Sequence, residues 1–306
     1  MPVHTVTVRV PAKVNLQLSV GPREDDGYHQ LVTVFQAISI FDDLVITKGE
    51  PGCGTSLSVT GDQTHGVPTD ESNLAMKAAS LIAKKCDIDI DAHMEIKKSI
   101  PVAGGMAGGS ADAAAAILAI DSLYSLDLTR DEMNEIASQL GSDVPFMLSG
   151  GTAIGQGRGD QLTAALSRGT YHWVLALSTV GLSTPAVYTE CDRLRAGLEI
   201  AEPQISDSLM QALLSGDSSQ VGKLLVNDLQ AAACSLRPAL RLILDVGQEY
   251  GALGAIVSGS GPTVAFLVED EDQGLDLAVA LTASGVVGSV TRAYGPVHGA
   301  KVVDSR

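Results

Sequence analysis

"PVAGGMAGGSADAAAA", residues 101–116, decides how the rest of the chain is read. Four glycines stand within 104–109, and alanines then run unbroken from Ala113 to Ala116. Glycine disfavours a helix and alanine favours it, so the spacing predicts a helix that opens abruptly at Ser110. Upstream, "IDAHMEIKKSI" (90–100) alternates as a strand does. The order is therefore strand, glycines, helix. A helix N-terminus has unpaired N–H groups and partial positive charge, and glycines let a ligand come close to the backbone. Ser110 can cap the helix or reach a phosphate or its metal, and Lys97 and Lys98 bring cations just upstream. These features predict a phosphate cradle. It is not an ordinary P-loop: Gly104 and Gly109 have the G-x-x-x-x-G spacing, but Ser110 and Ala111 stand where Lys and Ser/Thr belong. Tight packing of small residues is the alternative that a Gly/Ala pattern alone leaves open.

The length, 306 residues, exceeds one ordinary core and predicts two domains or one large one. With 45% hydrophobic and 18% charged residues the composition is globular, and no apolar run approaches the ~18 residues of a membrane helix. The start "HTVTVRV" alternates like a strand and lacks a basic segment followed by an apolar block, so no secretion signal is expected. Cysteines at 53, 86, 191 and 234 form no C-x-x-C pair and fit reduced thiols, which points to a cytoplasmic protein. The six histidines show no metal-ligand spacing. A net charge of −16 argues against a nucleic-acid partner, and an anionic small molecule would need cations placed locally.

Strands are expected in "HTVTVRV", "KVNLQLSV", "LVTVFQAISI" and "DDLVITK", with the polar loop "GPREDDGYHQ" among them. Helices are expected over "TDESNLAMKAASLIAKKC", "SADAAAAILAIDSLYSL" and "TRDEMNEIASQLG", the last with Thr129 as N-cap, Glu132 three residues on and Gly141 at the stop. "GGTAIGQGRGDQLTAAL" reads as strand and turn, and "YHWVLALS" opens a second series. Helical segments follow near 205–215, 218–231, 237–250 and 273–284, with strands in "GAIVSGSGPTVAFLVE" and "SVTRAYG". A domain boundary is placed near residue 168.

"PVAGGMAGGSADAAA" resembles the phosphate-binding motif of the GHMP kinases, which include galactokinase and the homoserine, mevalonate and phosphomevalonate kinases. "PAKVNLQL" (11–18) resembles the family's first motif and "GSGPTVAFL" (259–267) its third, in the right order. "DGYHQL" (26–31) and "GSDVPF" (141–146) resemble a branch whose acceptor is a cytidylyl sugar-alcohol phosphate; that branch commonly has Glu where Gln30 stands. The resemblance implies an α/β (α+β) fold of two domains. Residues 1–168 would be a βαβ-type ATP-binding domain and 169–306 an α+β sandwich closing a cleft. It implies a small-molecule kinase using ATP and Mg²⁺. The metal's ligands and the oligomeric state stay unknown.

Site residues follow by resemblance. Asp143 would be the general base; alone it reads as an N-cap before Pro145. Lys13, which otherwise reads as a strand lysine facing solvent, would lie beside Asp143 and hold it ionised. Pro101, Val102, Ala103, Gly104, Gly105 and Met106 would wrap ATP together with Ala107, Gly108, Gly109, Ser110 and Ala111, and Asn73 and Leu74 would meet the adenine. On the acceptor side, Tyr28 would stack on the cytosine, His29 would bond its edge, and Asn15 would contact the erythritol. Lys98 would meet the diphosphate or ribose. Thr184 and Tyr188 in "STPAVYTE" would close the cytidine pocket, although a Pro-containing turn explains that stretch as well. "GSGPTVAFL" would steady the phosphate loop, and Arg158 in "GQGRGDQL" could contact phosphate, although an exposed loop arginine is the ordinary reading.

Overall fold

A computed structural model describes residues 4–178 and 180–306. The first stretch of chain runs through β1 (Thr5–Arg23), β2 (His29–Lys48), β3 (Thr55–Gly61), α1 (Leu74–Cys86), β4 (Ala92–Lys98), α2 (Gly108–Tyr124), α3 (Arg130–Leu140), α4 (Val144–Ser149), β5 (Thr152–Gln156) and β6 (Gln161–Ala164). Next come β7 (Tyr171–Leu177), α5 (Thr184–Leu194), α6 (Asp207–Ser215), α7 (Ser218–Lys223), β8 (Val226–Asn227), α8 (Gln230–Leu236) and α9 (Ala239–Glu249). The chain ends with β9 (Gly254–Val257), β10 (Val264–Val268), α10 (Glu271–Ser284), β11 (Ser289–Gly295) and β12 (Lys301–Ser305).

There are two sheets. The first has the order β12-β1-β2-β4-β3, with β5 and β6 continuing from β2 and β8 lying parallel to β1. The second is antiparallel, β11-β7-β10-β9. The expected division at residue 168 falls between β6 and β7, where the chain leaves the first sheet. β8 and β12 later return to that sheet. Alternation along β7 joins the two halves: Tyr171, Trp173 and Leu175 enter the core of the first sheet, while Val174 and Ala176 enter a second core under α8 to α10. The buried Trp173 indole donates to Gln36 Oε1 at 3.0 Å, tying β7 to β2.

Helix α2 lies at the centre of the first half and is buried around most of its circumference. Its small side chains let β1, β2, α1 and α4 all pack closely against it. Helix α3 starts at the expected Thr129, and its capping box with Glu132 is complete.

Several boundaries differ from those expected. The first four strand segments form two long strands, β1 and β2, bent by register shifts at Pro11/Ala12 and Asn15/Gln17. Helix α1 begins at Leu74 rather than Thr69, because the Asp70 carboxylate accepts the Ser72 N–H and holds a turn there. The segment expected as helix over 218–231 is broken by β8. Asn227 there donates to the carbonyls of Val257 and Gly259, and these long-range bonds outweigh local helix preference. β3 and β12 were not expected; β12 is short and largely exposed, whereas β3 carries only a brief alternation, Leu57 and Val59 between Ser and Thr, with both apolar side chains half-buried against the core. All four cysteines are free thiols, and among the described residues no helix is long and apolar enough to cross a membrane.

Candidate active site

β1 turns a polar row toward a cleft. Lys13 and Asn15 face it, while Val14 and Leu16 sit in the core; past the register shift at Asn15/Gln17 the alternation is broken, so Leu18 borders the cleft and the Gln17 amide bonds away from it, to Ser19, Gln204 and Ser206. Lys13 Nζ donates to Asn15 Oδ1 at 2.6 Å, and Asn15 Nδ2 donates to Thr33 Oγ1 at 2.8 Å. This chain orients a lysine that is 4% exposed. Burial pushes its ammonium below the ordinary lysine range, and the negative charge of Asp143 offsets part of that shift.

Asp143 Oδ2 lies 3.8 Å from Lys13 Nζ. The residue does stand at the N-cap of α4, as its position before Pro145 suggested, yet its side chain makes no capping bond. A capping side chain serves the N–H of the second or third helical residue, and the second here is Pro145, which has none. The carboxylate therefore stays available and faces the cleft.

The glycine loop forms the opposite wall. Its backbone is tied into both neighbouring motifs: Met106 O accepts the Lys13 N–H at 3.3 Å, and Gly105 O accepts Ser258 Oγ at 3.0 Å. Gly105 has φ +76°, and a Cβ there would overlap the Ser258 carbonyl oxygen, so glycine is required on both counts. Ala103 and Ala107 also have positive φ, +51° and +60°, an unfavourable geometry for alanine that the surrounding contacts hold in place. Helix α2 begins at Gly108, two residues before the expected start, and Ala107 rather than Ser110 is its N-cap. Ala103, Gly104, Gly105 and Gly109 line the cleft with Lys13 and Asp143 around a cavity of about 500 Å³.

Lys98 departs from its expected role. Its side chain is 2% exposed and lies beneath the loop, off the cleft wall. Nζ donates to Asp42 Oδ2, to Asp112 Oδ2 at 2.7 Å and to Gly108 O at 2.9 Å. Those three bonds use the ammonium's full donor capacity and leave nothing for a ligand. Lys97, its neighbour, faces solvent, because successive residues of a strand point to opposite faces. Asp42 Oδ1 accepts the N–H groups of Ser99 and Ile100, so Lys98 and Asp42 together clamp both ends of the glycine loop. Asp112 Oδ1 has no partner, and burial together with the charge of Asp42 pushes the Asp112 carboxyl up against the opposing pull of Lys98. The signal of this cluster in the sequence is Asp112, an aspartate set among the alanines of α2.

Asn73 caps α1, accepting from Ala75 N at 2.8 Å and donating to Pro68 O at 2.7 Å, so both ends of its amide are occupied. Leu74 lies beside Gly109, 3.7 Å from where a Cβ of that residue would be.

A second cavity of about 780 Å³ continues from the first. Tyr28, His29, Thr184, Tyr188 and Asp192 line it. His29 Nε2 donates to Asp192 Oδ1 at 2.8 Å, which keeps a proton on that nitrogen. The His29 and Tyr188 rings lie 5.2 Å apart. Tyr188 is largely buried, and burial with the nearby Asp143 charge pushes its hydroxyl further above the ordinary tyrosine range. Thr184 Oγ1 shares a 2.8 Å hydrogen bond with Ser260 Oγ, linking α5 to the third motif. Sequence reasoning missed Asp192 and Thr33, whose positions carry no local pattern. The arrangement pairs a buried cation and a free carboxylate with an anion-binding loop, next to a roomy pocket with aromatic walls. It can align a phosphoryl donor with a hydroxyl acceptor.

Residues 73–151 match the GHMP kinases N terminal domain and residues 209–287 the GHMP kinases C terminal domain. A 4-diphosphocytidyl-2-C-methyl-D-erythritol kinase of Nocardia farcinica is 52% identical over 98% of this chain and 96% of its own length. One of Thermobifida fusca is 51% identical over 98% of each. A crystal structure of 4-(cytidine 5'-diphospho)-2C-methyl-D-erythritol kinase superposes with a TM-score of 0.74 at 31% identity, over 94% of this chain and 98% of that one. A crystal structure of L. major mevalonate kinase shares the fold at 19% identity and a TM-score of 0.76, over 97% of this chain and 98% of that one. With half of its residues shared along nearly its whole length, the chain belongs to the GHMP kinases, in the branch of the 4-diphosphocytidyl-2-C-methyl-D-erythritol kinases.

Proposed function

We propose that the chain transfers the terminal phosphoryl group of ATP to the 2-hydroxyl of 4-diphosphocytidyl-2-C-methyl-D-erythritol. The observation that carries this reading is the 3.8 Å approach of Lys13 to Asp143 in the cavity walled by the glycine loop, which adjoins the aromatic pocket. The loop amides and the N-terminus of α2 receive the nucleotide's phosphates, and Leu74 borders that wall. The acceptor's cytosine lies by Tyr28, His29 and Tyr188, and its alcohol reaches toward Asn15 and Asp143.

A carboxylate with a pKa of ~4 cannot ionise an alcohol in the ground state. Asp143 instead accepts a hydrogen bond from the hydroxyl and orients it. As the new O–P bond forms and the bond to the ADP oxygen breaks, the hydroxyl proton passes to Asp143 and ADP leaves with the electron pair. Lys13 offsets charge on the attacking oxygen. A Mg²⁺ ion prefers oxygen ligands and keeps several waters, so it would be held chiefly by the ATP phosphates. Bound there, the metal would supply charge neutralisation of the phosphates.

The test is a phosphoryl-transfer assay with purified protein, ATP and a panel of alcohols: the diphosphocytidyl acceptor, mevalonate, homoserine and galactose. Turnover confined to the cytidylyl compound is expected. Preference for a small alcohol would reassign the acceptor, and ATP binding without any turnover would make the chain a binding module.

A further inference from the structure

The two cavities meet along a narrow common wall formed by Leu31, Ser142, Arg158, Thr184, Pro185 and Tyr188. Arg158 is the only charged residue among them. An acceptor whose nucleoside occupies one cavity and whose alcohol reaches the other must carry its diphosphate past this wall. The chain as a whole bears a charge of −16, so an anion held there needs a dedicated cation.

Arg158 is placed for that work. It stands at the tip of the β5–β6 turn between Gly157 and Gly159, two glycines with positive φ. The turn is anchored by the Leu31 N–H donating to Gly157 O at 2.7 Å and the Gly159 N–H donating to Gln156 O at 2.9 Å. Its guanidinium lies 4.0 Å from the centre of the Tyr28 ring and donates to Asp26 Oδ2 at 2.8 Å. Both members of this ion pair are about half exposed, and such pairs hold weakly. A diphosphate offers two parallel acceptors to the planar fork of an arginine, a stronger partner than one exposed carboxylate.

We propose that Arg158 is a specificity-determining residue that binds the acceptor's diphosphate, exchanging its contacts with Asp26 and Tyr28 for the phosphate oxygens and freeing the tyrosine ring for the base. The proposal rests on the acceptor reading given above. The same guanidinium could in principle serve either of two polyphosphates, the acceptor's or ATP's, and kinetics separate them.

The experiment measures KM for acceptor and for ATP, and kcat, in wild type, Arg158→Gln and Arg158→Lys. Loss of a charge-assisted pair predicts an acceptor KM raised by about 10- to 100-fold in Arg158→Gln, with the ATP KM within about 2-fold. Arg158→Lys should recover part of the loss, and its recovery should fade with added salt, as a point charge's does. An Arg158→Gln protein matching wild type overturns the proposal, as does a rise confined to the ATP KM. A wild type that turns over some other alcohol but not the diphosphocytidyl acceptor overturns the acceptor reading and this proposal with it.

Discussion

The Lys13 ammonium and the Asp143 carboxylate, distant in sequence, face each other at 3.8 Å across the floor of one cleft. Lys13 is buried and bonded to Asn15, while Asp143 keeps an open side toward the cavity. The asymmetry suits a fixed cation and a carboxylate that must take up a proton. Asp143→Ala is expected to lower kcat by at least ~10²-fold and leave ATP affinity near normal. Single-turnover rates and equilibrium ATP binding check this together; a parallel loss of both would make Asp143 a binding residue.

The burial of Lys13 has a pH signature. Its folded-state pKa is depressed, so its positive charge is lost as pH rises through a value below the ~10.4 of a free lysine. The Asp143 charge works against that depression, so Asp143→Asn should move the loss of the ammonium to still lower pH. The pH dependence of ATP affinity in the two proteins, read in the alkaline range, measures the displacement. An unmoved limb would mean that Asp143 does not act on Lys13.

Beneath the loop, the single ammonium of Lys98 bonds to two buried carboxyl groups, those of Asp42 and Asp112. Lys98→Met leaves both without a counter-charge and should destabilise the fold by about 3–5 kcal/mol, seen in urea or thermal unfolding. Asp112→Asn should be far milder. The Asp112 carboxyl is pushed up on folding, so it favours the folded state at low pH, and that contribution fades as pH rises from ~4 through its folded value. Wild-type stability should therefore fall with pH across that window more steeply than stability of Asp112→Asn. Identical slopes would show that Asp112 is ionised throughout.

His29 tests the acceptor pocket apart from the chemistry. Its Nε2 is engaged by Asp192, and the rest of the ring borders the second cavity. His29→Ala should lower kcat/KM for the cytidylyl acceptor by about 10-fold or more and leave the ATP KM unchanged, because a site built for hydrogen bonds depends on them for selection. Unaltered turnover of that acceptor would remove the histidine from its recognition.

Gly105→Ala probes the loop. The added Cβ meets both a left-handed backbone and the Ser258 carbonyl, so the loop must shift away from the third motif. A cost of about 1–3 kcal/mol is expected in stability, with a higher ATP KM. A crystal structure of the variant with its loop undisplaced and kinetics intact would contradict the tight packing described.

Local chemistry was legible from the residues themselves. Glycines before alanines announced the turn into α2, Thr129 and Glu132 marked the start of α3, and five short motifs identified the family. Spacing also separated Lys97 from Lys98 onto opposite faces, but not which of those faces was the interior. Asn73 reads as helix-surface or nucleotide-facing from its neighbours alone; in the fold its amide is spent on Pro68 and Ala75. β3 and β12 escaped notice because each is a short edge strand: β12 is largely exposed, and the alternation of β3 is limited to Leu57 and Val59.

Sequence by itself determined the turn from glycines into α2, the capped start of α3 and the membership of a kinase branch, since backbone preference and motif order act over a few residues. Only the tertiary structure decided that Lys98 lies under the loop instead of in the cleft, that Asp143 is relieved of capping and meets Lys13, and that Arg158 stands where two cavities join. Those outcomes depend on burial and on charges brought together from remote segments, and burial belongs to the packed chain as a whole.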